Sequence, residues 1–341
     1  MAEKRYRLGI AAMVHDHVWG ELPKWKQQPN VDIVAAGDVN QDLLDRVQRD
    51  FGVQKLYHTW EEMIEKEELD IIQAASENSK CADIVEAAAA KGIHVVSEKP
   101  MAARLSQADR MLAAAKKANI KLMINWPTAW YPALQTMAGL IQEGAIGKVF
   151  YFKFRSAHNG PKEIGCDPHF WKWLYDEELN GAGSLMDYCC YSANMCAYFL
   201  GSPKKVTGFR GVFVKDYPIP DDNAIILSQY EHAFGVAEAS WTQPVGYATP
   251  NPVAYGTEGS LVLWQDKVLL QRVNEEQKTI DPKPLEPGYR TAPEFFLRCL
   301  ETGEPITGMV SPEVSRNAQE ILEAGYRSAN TGIAQELPLK D

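Results

Sequence analysis

The chain of 341 residues lacks the features of several classes of protein. It has no apolar run close to the ~20 residues that a membrane-spanning helix needs, so we expect no membrane partner. Asp and Glu number 45 against 35 Lys and Arg, and the net charge of -10 argues against a nucleic-acid partner. The N-terminus shows no signal-type apolar stretch with a cleavage site, so we expect a cytoplasmic location.

Cysteine and histidine also lack the patterns of a disulfide framework or a metal site. None of the six cysteines belongs to a C-x-x-C pair, and the adjacent Cys189 and Cys190 would point in different directions on a helix. We therefore predict reduced thiols. No group of His, Asp and Glu has the spacing of metal ligands in the sequence, so we predict no metal.

The length predicts two domains, and the pattern changes near residue 125. Residues 1–125 alternate between strand and helix patterns, which predicts a doubly wound parallel sheet. The predicted strands are Arg7–Ala12, Val31–Asp38, Asp70–Ala75, Ile93–Ser97 and Lys121–Asn125. The predicted helices between them are Asn40–Phe51, Cys81–Lys91 and Ser106–Ala118.

Residues 126–341 carry runs of strands with few helices, which predicts an α+β domain with a large, open, mostly antiparallel sheet. The predicted strands are Val149–Arg155, Val206–Phe213, Ala224–Tyr230, Ala233–Ser240 and Ser260–Trp264. One helix is predicted from about Ser184 to Phe199, and two more near Pro293–Leu300 and Pro312–Ser328. The proline-rich Asp281–Gly288 segment is predicted to be a surface loop.

The first strand leads into a turn with part of a dinucleotide-binding fingerprint. Of the glycines in G-x-G-x-x-G only Gly9 is present, and the following residues are small to medium, so the backbone still permits a pyrophosphate nearby. Asp38 ends the second strand, in the acidic position that binds a ribose hydroxyl and repels a 2′-phosphate, which favours NAD over NADP. The alternative is an ordinary turn with Asp38 as a helix cap. The turn residues expected to contact the cofactor are Gly9, Ala11, Ala12, Met13 and Val14.

Glu98, Lys99 and Pro100 follow the strand Ile93–Ser97. In open parallel sheets ligands bind beyond the carboxyl ends of the strands, so this position offers an acid and an ammonium to a ligand. The alternative is a surface lysine before a proline that starts a helix.

A second polar pattern lies on the predicted helix Ser184–Phe199. Asp187, Tyr191 and Asn194 have the i, i+4 and i+7 spacing of one helix face, while Cys and Met residues occupy the other sides. The alternative is a solvated helix face, but the Cys and Met residues indicate an enclosed helix.

These segments together resemble the glucose–fructose oxidoreductase/inositol dehydrogenase/rhizopine-catabolism (Gfo/Idh/MocA) family. The matching segments are Gly92–Pro100, Ile141–Lys148, Gly181–Asp187, Gly256–Ser260 and Ala324–Gly332. The resemblance implies an N-terminal Rossmann domain, a C-terminal domain with a large sheet, and hydride transfer between a nicotinamide and a sugar or cyclitol. It also implies a homodimer or homotetramer formed through that sheet.

The resemblance implies roles for four residues. Glu98 corresponds to the acid near the nicotinamide ribose, Lys99 to the lysine between nicotinamide and substrate, and Asp187 to the aspartate of the catalytic helix. Where the family usually has a histidine base this chain has Tyr191, as a minority of members do. A free tyrosine titrates near pH ~10, and we expect the ammonium of Lys99 to lower the pKa of Tyr191.

Other segments depart from the family pattern and leave the substrate open. The segment that starts at Ser76, which we expect beside the cofactor, lacks the usual Thr-Pro start, and an arginine pair is missing after Asn125. Aromatic and polar residues suited to a sugar are common here, although most tryptophans would ordinarily be core or interface residues. The residues expected to contact substrate, besides Asp187 and Tyr191, are Trp126, Trp130, Arg155, His158, Asn159 and Trp171.

The sequence therefore predicts an NAD-dependent oxidoreductase acting on a hydroxyl of a sugar, glycoside or cyclitol, with Lys99 and Tyr191 as an acid/base pair. One alternative is an enzyme that cleaves glycosides through a transient keto sugar and recycles its NAD. Another is a regulator that binds a dinucleotide without catalysis, but the presence of Lys99 and Asp187 argues against it.

Overall fold

The computed structural model describes residues 4–246 and 249–340, which form two sheets with their helices. The first sheet has six parallel strands in the order β3-β2-β1-β4-β5-β6, the strand order of a Rossmann fold. Its strands are β1 (Tyr6–Ala11), β2 (Val31–Gly37), β3 (Lys55–Tyr57), β4 (Ile71–Ala74), β5 (His94–Glu98) and β6 (Leu122–Asn125). Its helices are α1 (His17–Lys26), α2 (Gln41–Phe51), α3 (Trp60–Lys66), α4 (Cys81–Ala90) and α5 (Leu105–Ala118).

The second sheet has nine strands in the order β14-β13-β12-β11-β7-β10-β9-β8-β15. Its strands are β7 (Val149–Ala157), β8 (Lys205–Gly211), β9 (Asn223–Gln229), β10 (Phe234–Ser240), β11 (Val253–Gly256), β12 (Gly259–Trp264), β13 (Lys267–Arg272), β14 (Lys278–Ile280) and β15 (Gln335–Glu336). The helices of this half are α6 (Pro132–Gln142), α7 (Pro168–Leu174), α8 (Glu177–Asn180), α9 (Ser184–Leu200), α10 (Ala292–Thr302) and α11 (Pro312–Thr331).

The predicted fold class is confirmed, because a parallel sheet is followed by a mixed, mostly antiparallel one. The β7–β10 pair is the parallel exception in the second sheet, whereas β9 and β10 pair antiparallel as a hairpin. The sequence did not reveal β3, a three-residue strand, or α1, whose pattern is interrupted by Pro23. Such short or interrupted elements carry too little periodicity to be recognised from the sequence alone.

The helix α9 packs against the buried face of the nine-stranded sheet. On that face lie small side chains such as Ala237 and Ala239, so the helix approaches the strands closely. The helix α11 approaches β8 closely as well, because a Cβ on Gly208 would lie 2.1 Å from the backbone oxygen of Gly325. This packing encloses the polar stripe of α9 inside the molecule.

The cysteines are free thiols, as the sequence predicts, with Cys166 half-buried and the others buried. Within residues 4–246 and 249–340, none of the helices is both long enough and apolar enough to cross a membrane.

Candidate active site

Lys99 and Asp187 form a buried ion pair between β5 and α9. The Nζ atom of Lys99 donates to Oδ1 of Asp187 at 2.8 Å and to its backbone oxygen at 3.2 Å. Lys99 is only 1% exposed. Burial by itself lowers the pKa of Lys99, but the charge of Asp187 and the nearby Tyr191 outweigh it and raise this pKa well above its usual value. Lys99 is therefore a fixed ammonium.

The start of α9 is held by a buried carboxylate that sequence reasoning missed. Asp221 accepts hydrogen bonds from the backbone of Gly183 and Leu185 and from the hydroxyl of Ser184, at 2.8–2.9 Å. A Cβ on Gly183 would lie 2.2 Å from the backbone oxygen of Asp221, so only glycine permits this approach. A carboxylate at a helix N-terminus is stabilising, and here it fixes the helix that carries Asp187.

Tyr191 lies one turn further along α9, beside the ion pair. The Nζ atom of Lys99 is 4.8 Å from its ring centroid, and the rings of Trp126 and Phe154 lie 6.0 Å and 6.3 Å away. Burial raises the pKa of Tyr191 and Lys99 lowers it, with a net increase. The sequence-based expectation of a lowered pKa is therefore wrong in its net direction, because desolvation of the phenolate outweighs the ammonium.

Asn194, the third residue of the α9 stripe, does not join this group. Its side-chain nitrogen donates to the backbone oxygen of Met309 at 2.9 Å. It therefore links α9 to the segment before α11 rather than to the ion pair.

Glu98 is buried within a network of side chains at the end of β5. Its Oε1 atom accepts from Asn125 at 2.9 Å and from Gln73 at 3.5 Å, and its Oε2 atom lies 3.0 Å from Nδ1 of His17. A second buried carboxylate, Glu21, lies nearby on α1. Burial and the charge of Glu98 raise the pKa of Glu21.

The turn after β1 begins three residues later than the sequence fingerprint indicates. Gly9 lies inside β1, where a Cβ would come 2.7 Å from a methyl carbon of Leu69. The left-handed position that opens the turn is Ala12, with a φ of 61°. A glycine is favoured at such a φ, so the first position of the fingerprint falls on Ala12 and its later positions on Val14 and His17.

Asp38 ties the turn to the end of β2. Its carboxylate accepts from the backbone of Met13 at 2.6 Å and from the backbone and side-chain nitrogens of Asn40, both at 2.8 Å. Burial raises the pKa of Asp38, while these hydrogen bonds oppose the shift. A carboxylate has about four acceptor positions, so one remains for a further donor such as a ribose hydroxyl.

The donor and acceptor groups around this turn fit a dinucleotide. The helix α1 starts directly after this turn, and a helix N-terminus favours a phosphate. Asp38 offers its remaining acceptor position on one side, and Glu98 lies at the end of β5 on the other. The side chain of Ser76, by contrast, bonds to the backbone of Glu77 at 3.0 Å.

The helix α7 lies against the same turn. The indole nitrogen of Trp173 donates to the backbone oxygen of Val14 at 3.2 Å, and Asp16 accepts from the backbone of Asp167 at 2.8 Å. The rings of Phe170 and Trp173 pack on His15. Trp171, which the sequence nominated for substrate, instead lies 5.6 Å from the ring of Tyr175.

His158 lies near the ion pair, at the end of β7. Its ring is 4.7 Å from that of Tyr188, and its Nδ1 atom accepts from the backbone of Gly160 at 2.8 Å. Burial lowers the pKa of His158, while the charges of Asp187 and Lys99 act on it in opposite directions. The neighbouring Asn159 accepts at its backbone oxygen from Lys215.

The remaining residues expected at the substrate are spread over three places. Trp126 is buried behind Tyr191, where its indole donates to Ser315 at 3.0 Å. Trp130 lines a cavity of about 720 Å³ between α6, α10 and the loop before α10. Arg155 lies on the exposed face of the sheet, 3.8 Å from Glu238 and 3.2 Å from Gln243. Trp130 is also linked to the end of β5, since its indole donates to Oδ1 of Asn125 at 2.9 Å and Asn125 donates to Glu98.

Two family models match the chain. Residues 19–126 match the oxidoreductase family with an NAD-binding Rossmann fold, GFO_IDH_MocA. Residues 134–262 match the GFO/IDH/MocA C-terminal domain. Together the two matches include most of both sheets and the whole of α9.

Two of the named relatives are a sugar dehydrogenase and a cyclitol dehydrogenase. D-xylose 1-dehydrogenase (NADP(+)) 2 of Haloferax volcanii is 28% identical over 311 residues, 84% of this chain and 86% of the relative. Myo-inositol 2-dehydrogenase of Thermotoga maritima is 24% identical over 285 residues, 80% of this chain and 82% of the relative.

A solved structure of levoglucosan dehydrogenase, in complex with NADH and levoglucosan, has the same fold with a TM-score of 0.83. It is 21% identical and covers 98% of this chain and 100% of its own. With the two family matches, the sheet order and the enclosed Lys99–Asp187 pair, the chain belongs to the Gfo/Idh/MocA family of oxidoreductases.

Proposed function

We propose that this oxidoreductase is an NAD-dependent dehydrogenase for a hydroxyl group of a sugar, glycoside or cyclitol. The observation that carries the proposal is the buried Lys99–Asp187 pair beside Tyr191, next to a turn that fits a dinucleotide. The names of the relatives support the substrate class, since they include xylose and inositol dehydrogenases.

The three side chains have separate tasks in this proposal. During oxidation Tyr191, in its phenolate form, accepts the proton of the substrate hydroxyl, and the carbon that bears this hydroxyl releases a hydride. Bound NAD supplies the hydride acceptor. Lys99 stabilises the negative charge on the Tyr191 oxygen and on the substrate oxygen. Asp187 holds Lys99 in place through the 2.8 Å hydrogen bond.

The decisive test is a panel of sugars, glycosides and cyclitols with NAD and NADP, followed by NADH or NADPH absorbance and by product analysis. We expect turnover with at least one member and a keto product. Cleavage of a glycoside without net release of NADH would instead support the keto-sugar hydrolysis described above. Tight dinucleotide binding without any turnover would contradict a catalytic role.

We propose a preference for NAD because of the carboxylate of Asp38, which would repel a 2′-phosphate. An Asp38→Ser variant should lose at least about tenfold of its preference for NAD over NADP, measured as the ratio of kcat/KM values. The control is Asp42→Ser, since Asp42 pairs with His169 instead of the turn. A wild-type enzyme that uses NADP equally well would contradict the role of Asp38.

We also propose that two copies associate through the exposed face of the nine-stranded sheet. Five large apolar side chains on that face are between 41% and 70% exposed, namely Phe209, Ile225, Leu227, Phe234 and Tyr255. Large apolar side chains exposed together on one face mark an interaction surface on a globular protein. The resemblance to oligomeric family members makes a second copy the expected partner.

A further inference from the structure

A cavity of about 720 Å³ lies between α6, α10 and the proline-rich loop 281–288. We call it the α6–α10 cavity. Its volume is within the range of ~300–1,000 Å³ that small-molecule sites have. Lys99, Asp187 and Tyr191 are not among the described residues that line it, so the proposed chemistry leaves this cavity unused.

The α6–α10 cavity lies beyond the catalytic group on the same helix. Tyr198 lines it and follows Tyr191 by two turns of α9, so both residues are on one face of that helix. Two turns correspond to about 10 Å along the helix axis. The cavity is therefore a separate space and not the immediate surroundings of the ion pair.

The inner wall of the cavity is apolar. Phe295, Met309 and Val310 line it and are buried. The charged residues among the described lining are Glu143, Lys283 and Glu286, and all three are exposed, which places them at the rim. An ion held against the inner wall would lack a partner of opposite charge, which is costly. This wall therefore suits an uncharged ligand.

Three aromatic rings form a row along the cavity. The ring centroids of Trp130 and Phe295 are 5.9 Å apart, and those of Phe295 and Tyr289 are 5.7 Å apart. Aromatic rings prefer tilted or offset partners at such separations, so a flat aromatic ligand would extend the row.

A buried acceptor beside the cavity favours a ligand with a hydroxyl group. The amide nitrogen of Asn194 donates to the backbone oxygen of Met309, a lining residue, at 2.9 Å. The Oδ1 atom of Asn194 is buried and has no hydrogen-bond partner among the described residues. A hydroxyl held beside Met309 would supply the donor that this oxygen lacks.

Gly139, inside α6, leaves room in the cavity. It lines the cavity, and a Cβ built on it would meet no heavy atom within 4 Å. A glycine inside a helix is destabilising relative to alanine, and no close approach of another segment requires one here. The absence of a side chain at this position therefore adds to the space that a ligand can occupy.

The outer wall of the cavity is already in place. The backbone nitrogen of Lys283 donates to Oγ1 of Thr136 at 3.3 Å, and that of Gly288 donates to Glu294 at 3.1 Å. The loop also contains three prolines, which restrict its backbone. A wall that is ordered before binding lowers the entropic cost of holding a ligand.

We propose that the α6–α10 cavity is a second ligand-binding site, separate from the active site, for an uncharged aromatic molecule that carries a hydroxyl group, such as a phenol. A sugar carries a hydroxyl on most of its carbons and would leave many of them without partners on the apolar wall. The substrate class of the active site therefore does not suit this cavity.

A chain of hydrogen bonds connects the cavity with the dinucleotide turn. The indole of Trp130 donates to Asn125 at 2.9 Å, and Asn125 donates to Glu98 at 2.9 Å. A ligand that turns Trp130 therefore acts on the carboxylate at the end of β5. Because coupling between two sites is reciprocal, the phenol and the dinucleotide change each other's affinity. This coupling rests on the proposed function, whereas binding of the phenol does not.

The first experiment titrates the full-length chain with 2-naphthol by calorimetry, without dinucleotide or substrate. We expect a dissociation constant below about 1 mM. Gly139→Phe should weaken binding by at least about tenfold, because its ring occupies the space of the ligand. Gly139→Ala is the matched control, since it adds one methyl group and should keep the affinity within about twofold.

A second variant keeps the test valid if Gly139→Phe fails to fold. Leu285 is half-buried in the outer wall, so Leu285→Glu places a charge in the cavity without disturbing the core. It should also weaken binding by at least about tenfold, because the carboxylate faces an apolar ligand. The control Ile333→Glu adds the same charge at an exposed position outside the described lining and should leave the affinity unchanged.

The coupling is measured by titration with NADH, with and without saturating 2-naphthol. The affinity for NADH should change by about fivefold or more. Trp130→Phe keeps a ring in the wall but lacks the N–H that donates to Asn125, so it should bind 2-naphthol and lose the change.

Two results would overturn the second site. One is a wild-type chain that does not bind 2-naphthol, or a folded Gly139→Phe chain that binds it as tightly as the wild type. The other is binding that is lost in Tyr191→Phe and kept in Gly139→Phe, which would place the ligand in the active site. A chain that binds 2-naphthol but not NADH would contradict the proposed function alone, and binding of both without mutual effect would contradict the coupling.

Discussion

The two faces of the nine-stranded sheet differ in what they expose and in what they carry. On the buried face α9 covers small residues such as Ala237 and Ala239 and carries Asp187 and Tyr191. On the opposite face alternate residues of the same strands, such as Leu227 on β9, remain open to solvent. Each face has an ion pair, Lys99–Asp187 inside and Lys153–Glu238 outside.

The comparison shows that the same kind of ion pair has different consequences in different surroundings. Lys99 and Asp187 are both almost fully buried, so neither charge has water to replace a lost partner. Lys153 and Glu238 form their ion pair at 2.9 Å, but both side chains are partly exposed. Water and dissolved ions therefore screen their charges. We therefore expect turnover to depend on residues of the buried face and formation of the oligomer to depend on residues of the exposed face.

Among the substitutions, Lys99→Met is expected to have the largest effect on both kcat and the free energy of unfolding. Loss of the ammonium should reduce kcat on the order of 10³-fold, within the range for a group that stabilises charge developing in the transition state. It should also lower the free energy of unfolding by about 3 kcal/mol, because Asp187 is left buried and unpaired. Lys153→Met is the control on the other face and should change the unfolding free energy by less than about 1 kcal/mol. If denaturant titrations showed equal losses of unfolding free energy for Lys99→Met and Lys153→Met, the expected difference between the buried and the exposed ion pair would be wrong.

Tyr191→Phe should reduce kcat on the order of 10²-fold. Only the phenolate can accept the proton, and because burial raises the pKa of Tyr191 the phenolate becomes populated only in the alkaline range. The oxidation rate of the wild type should therefore increase with pH through the alkaline range, and this increase should vanish in the variant. Tyr188→Phe is the control, since its ring lies 6.1 Å away. If Tyr188→Phe removed the increase instead, Tyr191 would not be the base.

A smaller effect on turnover is expected for the double variant Ile225→Lys, Leu227→Lys. Two charges on the exposed face should dissociate the oligomer, because an ammonium is costly to bury at an apolar interface. Light scattering after size exclusion would show the change in mass, while kcat should stay within about twofold. Ile333→Lys introduces a charge at a residue that is 66% exposed elsewhere and should leave the mass unchanged. An unaltered mass in the double variant would rule out this face.

The smallest effect is expected for Arg155→Ala. Because Arg155 contacts Glu238 and Gln243 on the exposed face, we expect kcat/KM to change by less than about twofold. His158→Ala, on a residue next to the ion pair, should reduce kcat/KM by about tenfold. A large loss in Arg155→Ala would show that this face also contacts substrate, directly or in a second copy.

The sequence predicted the strands and helices that have strong periodic patterns, together with the functional residues at their ends. The alternation of strand and helix patterns gave the parallel sheet, and the i, i+4 spacing predicted that Asp187 and Tyr191 share a helix face. It did not reveal Asp221, because a carboxylate far along the chain has no local signal that it caps α9. It also misjudged the turn, since a positive φ at Ala12 is rare and a pattern based on glycine starts at Gly9 instead.

Local patterns decided the strands, the helix α9 and the presence of Lys99 and Asp187 at element ends, since backbone periodicity is a property of nearby residues. Tertiary structure alone decided which charges meet, how much water surrounds them and which face of the sheet stays open. It reversed the expected pKa shift of Tyr191, because desolvation depends on all surrounding segments. For the same reason only the folded chain brings His17 to Glu98.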